Sequence, residues 1–363
     1  MKILYLVSTL KNSGPTNQLS YIIQHLDRNF FEPVILTLSE EPEDSRKPFF
    51  VKDLNVQVYS LSLSRLKGLL LAKKRVYDFI LLQKVDIVHS QGIRADNLLK
   101  GMAIPKLLTI RNFPFIDYPL KFGRIKGYLM ALKHFSSIKK EKSNVIACSK
   151  TIANLFSDKG FKVDFIHNGV NTDLYKPLSV GQVNELKNKL NIPDNYNKVF
   201  ISVGSLIERK DMRTVIDGFI KFNKNKNNIL LIVGDGPDKE SLQKSVGQDV
   251  LFLGKVSNVV EYLQISDCFI SAALAEGLPD SVLEAMACGL PVVLSNIPSH
   301  KELFQDEEGV FFPVKQVSDL SGQLERINKN MHKYADISFR LINSYYRAEV
   351  MSGKYQNQYR KRI

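Results

Sequence analysis

Short runs of aliphatic and β-branched residues that barely alternate in polarity recur along the whole chain, with stretches of helix-like apolar spacing between them. A strand that does not alternate is covered on both faces, which happens when helices flank a parallel sheet. The runs are KILYLVS, FEPVILTL, DIVHS, KLLTI, NVIACS and VDFIHNG in the first half, then KVFISVG, NILLIVGDG, VLFLG, CFISAAL and PVVLSN in the second. Helical patterns occupy 18–26 and 66–83, among others. This grammar implies right-handed crossovers and a doubly wound parallel sheet, built twice. The expected class is therefore α/β, with two such domains facing a central cleft. A length of 363 residues agrees, since one core seldom serves much more than roughly 250.

A charged helical stretch bracketed by Pro177 and Pro193 has little to bury and marks the junction. It divides the chain into a domain at 1–177 and another at 178–340. Residues 341–363 carry tyrosines at helical spacing and are expected to form a helix packing back across the domains.

With 44% apolar and 24% charged residues, the composition is that of a soluble globular protein. The opening MKILYLVSTL is short for a signal peptide, and KNSGPTNQ follows where a small-residue cleavage site would stand, so it reads as a first buried strand. No run approaches the 18 or so apolar residues of a membrane span. Cys148, Cys268 and Cys288 lie in apolar surroundings without metal-ligand spacing, which points to neither disulfides nor zinc and to a reducing cytosol. The net charge of +13 is uneven: residues 1–180 hold 27 Lys and Arg against 15 Asp and Glu, and the remainder 23 against 22. A charge confined to one half is directed at something anionic. No nucleic-acid module accompanies it.

The stretch EGLPDSVLEAMACGLPVVLSN places Glu276 and Glu284 around a helix start. Pro279 suits the first helical position, Asp280 and Ser281 the first turn, and Gly289 the position after the end. The helix then runs over about 279–288, its N-terminus an anion site of unpaired N–H groups. Two carboxylates repel a phosphate but accept hydrogen bonds from hydroxyls beside it. A sugar–phosphate–ribose ligand uses both. Taken alone, such a glutamate pair is more often a solvated helix face.

The same stretch resembles the E-x7-E signature of the retaining glycosyltransferases of family 4. The resemblance continues in order through SGPTNQL, DIVHSQG, IHNGVNTDLYKP, VGSLIERKD, VGDGP and SNIPSHKEL. It implies a GT-B fold of two Rossmann-like domains, a nucleotide-sugar donor bound largely by the second domain, and no cofactor or obligatory metal. Carried over by position, Glu284 corresponds to the glutamate holding the donor ribose and Glu276 to the one holding the transferred sugar. Gly277, Ser281 and Val282 lie beside the donor phosphate; with proline at 279, phosphate contacts pass to Ser281 and Val282. Gly204, Ser205, Arg209 and Lys210 occupy the diphosphate loop, Lys210 in the place of the family lysine. The resemblance also places Gly14 against the donor and assigns Lys255 and Val256 to the loop that reads the base.

Two departures stand out. Ser205 replaces an arginine common in the family, with Arg209 supplying a neighbouring charge. Arg111 follows KLLTI where a histidine is common near the transferred sugar, a place from which it can meet an acidic donor sugar, the leaving phosphate or an anionic acceptor. His89 and His167, both near strand ends, read as structural.

The implied reaction is retaining transfer from a nucleotide sugar, UDP-linked by preference, to a glycan or lipid-linked acceptor in cell-surface polysaccharide or glycolipid assembly. The segments RLKGLLLAKKR (65–75) and PLKFGRIKGYLMALKHFSSIKK (119–140) mix cations with Leu, Phe and Tyr, as surfaces that lie on anionic membranes do. The alternatives are a catalytically degenerate relative that binds a nucleotide sugar or a protein partner, in line with Ser205 and Arg111, and a nucleotide-sugar epimerase, which would lack the EAMACG context.

Overall fold

The computed structural model describes residues 1–63, 65–193, 195–244 and 246–363, with the backbone alone for 65–70. The chain divides into two compact units, Met1–Gly169 with Ala348–Ile363, and Val170–Arg347.

The first unit holds a seven-stranded sheet. Its strands are β1 (Lys2–Val7), β2 (Glu32–Thr37), β3 (Gln57–Ser60), β4 (Ile87–Gln91), β5 (Lys106–Ile110), β6 (Val145–Ala147) and β7 (Asp164–Phe165), in the order 3-2-1-4-5-6-7. All pair in parallel. The connections carry α1 (Gly14–Gln24), α2 (Lys47–Lys52), α3 (Arg65–Leu82), α4 (Ile93–Leu99), α5 (Pro114–Phe122), α6 (Arg124–Lys140) and α7 (Lys150–Ser157). Ile3, Tyr5 and Val7 of β1 point to one face, against Leu19, Ile22 and Ile23 of α1. Leu4 and Leu6 point to the other, against Val76 and Ile80 of α3 and Leu99 of α4. This two-sided burial is what the non-alternating run required.

The second unit repeats the plan with six parallel strands: β8 (Val199–Val203), β9 (Ile229–Val233), β10 (Val250–Gly254), β11 (Cys268–Ser271), β12 (Val292–Ser295) and β13 (Val310–Phe312), ordered 10-9-8-11-12-13. Its helices are α8 (Val180–Lys189), α9 (Met212–Asn223), α10 (Lys239–Gln243), α11 (Val259–Gln264), α12 (Asp280–Ala287), α13 (Pro298–Lys301), α14 (Val317–Lys329) and α15 (Met331–Leu341). A π-helical turn, Ile342–Tyr346, follows α15.

The last helix, α16 (Ala348–Arg360), returns to the first unit. Ser352 Oγ donates to Ile22 O (2.8 Å) and Gln356 Nε2 to His25 O (3.0 Å), seating it on α1. Tyr355 and Tyr359 reach the centre of the unit: Tyr359 Oη bonds His89 Nδ1 at 2.8 Å, and Tyr355 Oη bonds Thr109 Oγ1 at 3.0 Å. His89 Nε2 takes Thr109 Oγ1 at 2.7 Å, so both ring nitrogens are used. Burial and then the charge of Arg111 hold the His89 pKa down to about 3, and the ring is a neutral structural element.

The structure divides the chain after Gly169, not near Pro177. Gly169 exchanges hydrogen bonds with the side chain of Gln18, Nε2 to O at 2.8 Å and N to Oε1 at 3.0 Å, which holds it in the first unit. Val170 N donates to Tyr346 O (2.8 Å) and pairs in the second. The return falls at 347/348, not 340/341, because α15 and the π-turn pack in the second unit. Strands β3 and β13 do not appear among the sequence-expected runs; both lie at sheet edges, where β3 is only partly buried and β13 has three residues. The three cysteines are buried thiols, outside any disulfide among the described residues.

Tyr359→Phe leaves His89 Nδ1 unpaired in the core and lowers stability by about 1–3 kcal/mol; Tyr359→Ala costs about 3–5 kcal/mol. Urea unfolding followed by domain-specific probes should place the loss in the first unit's transition and leave the second unit's midpoint unchanged.

Candidate active site

In the second unit the loop after β8 is shaped by glycine. A Cβ on Gly234, whose φ is +142°, would lie 1.8 Å from Gly204 O. The two backbones can approach this closely only without a side chain. Gly204 in turn lies under Lys210, whose Cε would be 3.3 Å from an added Cβ. Ser205 beside it is exposed.

The loop then tightens into a 3-10 turn, Glu208–Lys210, ended by Asp211 in the left-handed region at φ +48°. Asp211 caps α9, its carboxylate accepting from Thr214 N and Thr214 Oγ1. Leu274 N donates to Arg209 O at 2.9 Å, which ties this turn to the segment after β11.

Arg209 and Lys210 thereby converge on Glu276. Arg209 Nη1 lies 2.9 Å from Glu276 Oε2 and also donates to Ala275 O at 2.6 Å; Lys210 Nζ lies 2.5 Å from Glu276 Oε1. The Glu276 side chain is 10% exposed. Burial would raise its pKa, but the charges of Lys210 and Arg209 outweigh that and lower it to about 2.

Glu284, eight residues on, meets the opposite environment. It is buried on α12, and burial, reinforced by the negative charge of Asp280 one turn earlier, pushes its pKa up to about 8 against the hydrogen bond from Tyr175. One of the two carboxylates is fixed as an anion, and the other is predominantly protonated at neutral pH.

The start of α12 differs in detail from the sequence expectation. Pro279 is the residue before the first turn, and Asp280 opens the helix. Pro279 O accepts from both Val282 N and Leu283 N at 3.2 Å, so the amide expected of Val282 for phosphate is already engaged within the chain. Ser281 remains in the first turn, and Gly277 is buried in the loop before it. After β10, Lys255 is exposed and Val256 half-buried; the loop is placed by Gly234 N donating to Gly254 O at 2.8 Å. A cavity of about 290 Å³ in this unit is lined by Tyr175, the hydrogen-bond partner of Glu284, with Ala287, Ile342 and Arg347 among others, and by none of the sequence-expected site residues themselves.

Sequence reasoning passed over His300. It is fully buried on α13, with Nδ1 2.9 Å from Ser295 O, which makes Nδ1 the donor and leaves Nε2 a buried acceptor without a partner among the described residues. Burial lowers its pKa to about 4, with the Glu276 and Lys210 charges acting on it in opposite directions. The only signal was its position in SNIPSHKEL after a strand end.

Gly14 and Arg111 belong to the first unit. Gly14 opens α1 after β1. Arg111, just beyond β5, donates from Nε and Nη2 to Gln91 Oε1 (3.2 and 3.1 Å) and from Nη1 to Asn168 Oδ1 (2.7 Å). These acceptors are neutral amides, and Gln91 Nε2 is buried without a partner among the described residues. The guanidinium is thus held in place at the carboxyl end of the sheet with hydrogen bonds that leave its charge unneutralised. His167 packs its ring against Phe165, in keeping with a structural part.

The opposite pKa displacements give opposite pH limbs. Glu276, depressed, contributes stability above pH 4.5 that is lost as pH falls towards about 2; Glu284, raised, contributes below pH 4.5 and loses it as pH rises towards about 8. Calorimetry across that range should find Glu276→Gln removing the acid limb, on the order of 3 kcal/mol over its window, and Glu284→Gln relieving the alkaline one.

Residues 13–174 match the family described as Glycosyltransferase Family 4, and residues 182–340 the family described as Glycosyl transferases group 1. The chain is 26% identical to the O-antigen biosynthesis glycosyltransferase WclY of Escherichia coli, over 99% of its own length and 98% of that protein's. It is 25% identical to the UDP-Gal:alpha-D-GlcNAc-diphosphoundecaprenol alpha-1,3-galactosyltransferase of Escherichia coli, over 80% of its length and 77% of the relative's. Among solved structures, Anabaena Alr3699/HepE in complex with UDP and glucose superposes with a TM-score of 0.80 at 17% identity, covering 99% of this chain and 100% of that one. Each half matches a glycosyltransferase family model, the two together span most of the chain, and the chain belongs to the family 4-type glycosyltransferases of GT-B fold.

Proposed function

We propose that this glycosyltransferase moves a sugar from a UDP-sugar, with retention at the anomeric carbon and without a bound metal, to a hydroxyl of a glycan or lipid-linked acceptor in cell-surface polysaccharide or glycolipid assembly. The observation that carries the reading is Glu276 held between Arg209 and Lys210, with protonatable Glu284 eight residues away.

The donor diphosphate competes with Glu276 for the two cations. When it takes them, Glu276 is released to accept hydrogen bonds from the sugar hydroxyls, and Glu284 meets the ribose. As the anomeric C–O bond breaks, its electron pair goes to the diphosphate, whose growing charge Lys210 and Arg209 stabilise. The acceptor oxygen bonds the anomeric carbon from the same face and gives its proton to the departing phosphate oxygen. With two cations meeting that charge, the reading needs no metal. Arg111 is suited to an anionic group of donor or acceptor. Support for uridine, and for lipid-linked acceptors, comes from what relatives are named for: a UDP-Gal enzyme acting on a diphosphoundecaprenol, and an alpha-monoglucosyldiacylglycerol synthase of Streptococcus pneumoniae, 31% identical over 62% of this chain and 55% of its own.

Thermal shift and slow donor hydrolysis over a panel of UDP-, GDP- and ADP-sugars test this directly. One UDP-sugar should stabilise the protein selectively, Glu284→Ala should abolish the shift, and Lys210→Ala should lower turnover about 10²–10³-fold. EDTA should change nothing. If no nucleotide sugar binds, the partner-binding alternative replaces this reading.

A further inference from the structure

Helix α6 is built inside out. Its buried stripe is Gly127, Ala131, His134 and Ile138, and its solvent stripe is Ile125, Leu129 and Leu132, joined by Tyr128. A surface helix ordinarily buries its large apolar residues and exposes its polar ones. Here Ile125 is 81% exposed and Leu129 62%, while over the same N-terminal turns only Gly127 and Ala131 are buried; Ile138 and Phe135, packed on Phe156 and Phe161, anchor the C-terminal half.

Polar contacts hold the buried side in place. His134 Nε2 pairs with Asp96 Oδ2 at 2.9 Å, Tyr118 Oη meets His134 Nδ1 at 2.6 Å, and Ser137 Oγ donates to Asn97 Oδ1 at 2.7 Å. Gly127 lets the two helices of the hairpin touch, since a Cβ there would lie 2.3 Å from Tyr118 O. Helix α5 adds exposed Ile116 and Leu120, and Phe122 lies at the turn. Tyr128 and Phe122 touch Phe115 and Tyr118, but Ile125, Leu129, Leu132, Ile116 and Leu120 leave much of their apolar surface in water. Apolar surface of this extent calls for a partner outside the fold.

The surrounding charge says which kind. Residues 114–140 carry Lys121, Arg124, Lys126, Lys133, Lys139 and Lys140 against the single acid Asp117, and α6 itself has no acid. Apolar side chains ringed by cations match an anionic bilayer, where the apolar groups enter the acyl boundary and the cations meet lipid phosphates. We propose that the α5–α6 hairpin is a membrane-docking element of the first unit that inserts Ile125, Leu129 and Leu132 into an anionic lipid surface. In the other basic segment, 65–75, the side chains of 65–70 lie outside the described residues, and the proposal does not use them.

Docking needs no donor, so it stands or falls apart from the glycosyltransfer reading. Full-length protein is co-sedimented with vesicles of phosphatidylglycerol and phosphatidylcholine, and with phosphatidylcholine alone. The expected result is binding to the anionic vesicles that weakens as salt is raised. The Ile125→Ser/Leu129→Ser variant, altered only at exposed positions, should lose at least about tenfold in affinity. Lys121→Gln/Arg124→Gln/Lys126→Gln should lose about a hundredfold at low salt, at roughly fivefold per cation, and less at high salt. Circular dichroism and the UDP-sugar thermal shift check that both variants are folded. No vesicle binding, binding that these substitutions leave unchanged, or a dimer in solution that the serine variant dissociates would each overturn the proposal.

Discussion

A carboxylate clamped between two cations governs the second unit's site. Buried alone, Glu276 would take up a proton; Arg209 and Lys210 keep it charged, and it in turn keeps two cations at the end of a buried sheet. Neither side is tolerable without the other, because an unpaired buried charge is far more costly than a paired one. The backbone serves this arrangement. The Gly204–Gly234 contact sets the depth of the loop, Asp211 turns it into α9, and the Leu274–Arg209 hydrogen bond fastens it to the carboxylate's own segment. Glu284 shows the alternative outcome on the same stretch of chain: burial beside Asp280, without a cation, favours the acid form.

The first unit solves a different problem. Its sheet is covered on one face by α1 and on the other by α3 and α4 in the ordinary way. Helix α6 adds to its apolar contacts the hydrogen bonds of Asp96, His134, Tyr118 and Ser137. Phe135, packed on Phe156 and Phe161, and buried Ile138 anchor its C-terminal half, and the directional contacts fix its orientation while Ile125, Leu129 and Leu132 stay outside. Those side chains are therefore presented at a fixed angle to whatever they meet.

The doubly wound plan was legible because central strands are covered on both sides and must be apolar throughout. QVYS, on an edge and only partly buried, escapes that demand, and VFF, though apolar, is only three residues long, so neither stood out. The glutamate pair and Lys210 were legible as charged residues placed at strand and helix ends. The spent amide of Val282 was not, since local turn geometry decides where an N–H points. Nor was His300, whose unpartnered nitrogen exists only once α13 is folded against β12. In α6 the composition announced an amphipathic helix, but which stripe turns inwards was decided by Asp96, a residue far away in sequence. The junction near Pro177 was displaced because Gln18 claims the backbone at Gly169, a long-range contact that composition does not carry.

The adjacency of Val170 to Tyr346 and Arg347 gives the chain a particular order of assembly. The second unit enters and leaves through one doorway, so it is an insertion within the first. A ribosome delivers all of it before it delivers α16, whose Tyr355 and Tyr359 close the core around His89. Domains generally fold as units as they emerge. The unit that is begun first is thus the one finished last, and it waits with its histidine uncovered until the final turns of the chain arrive.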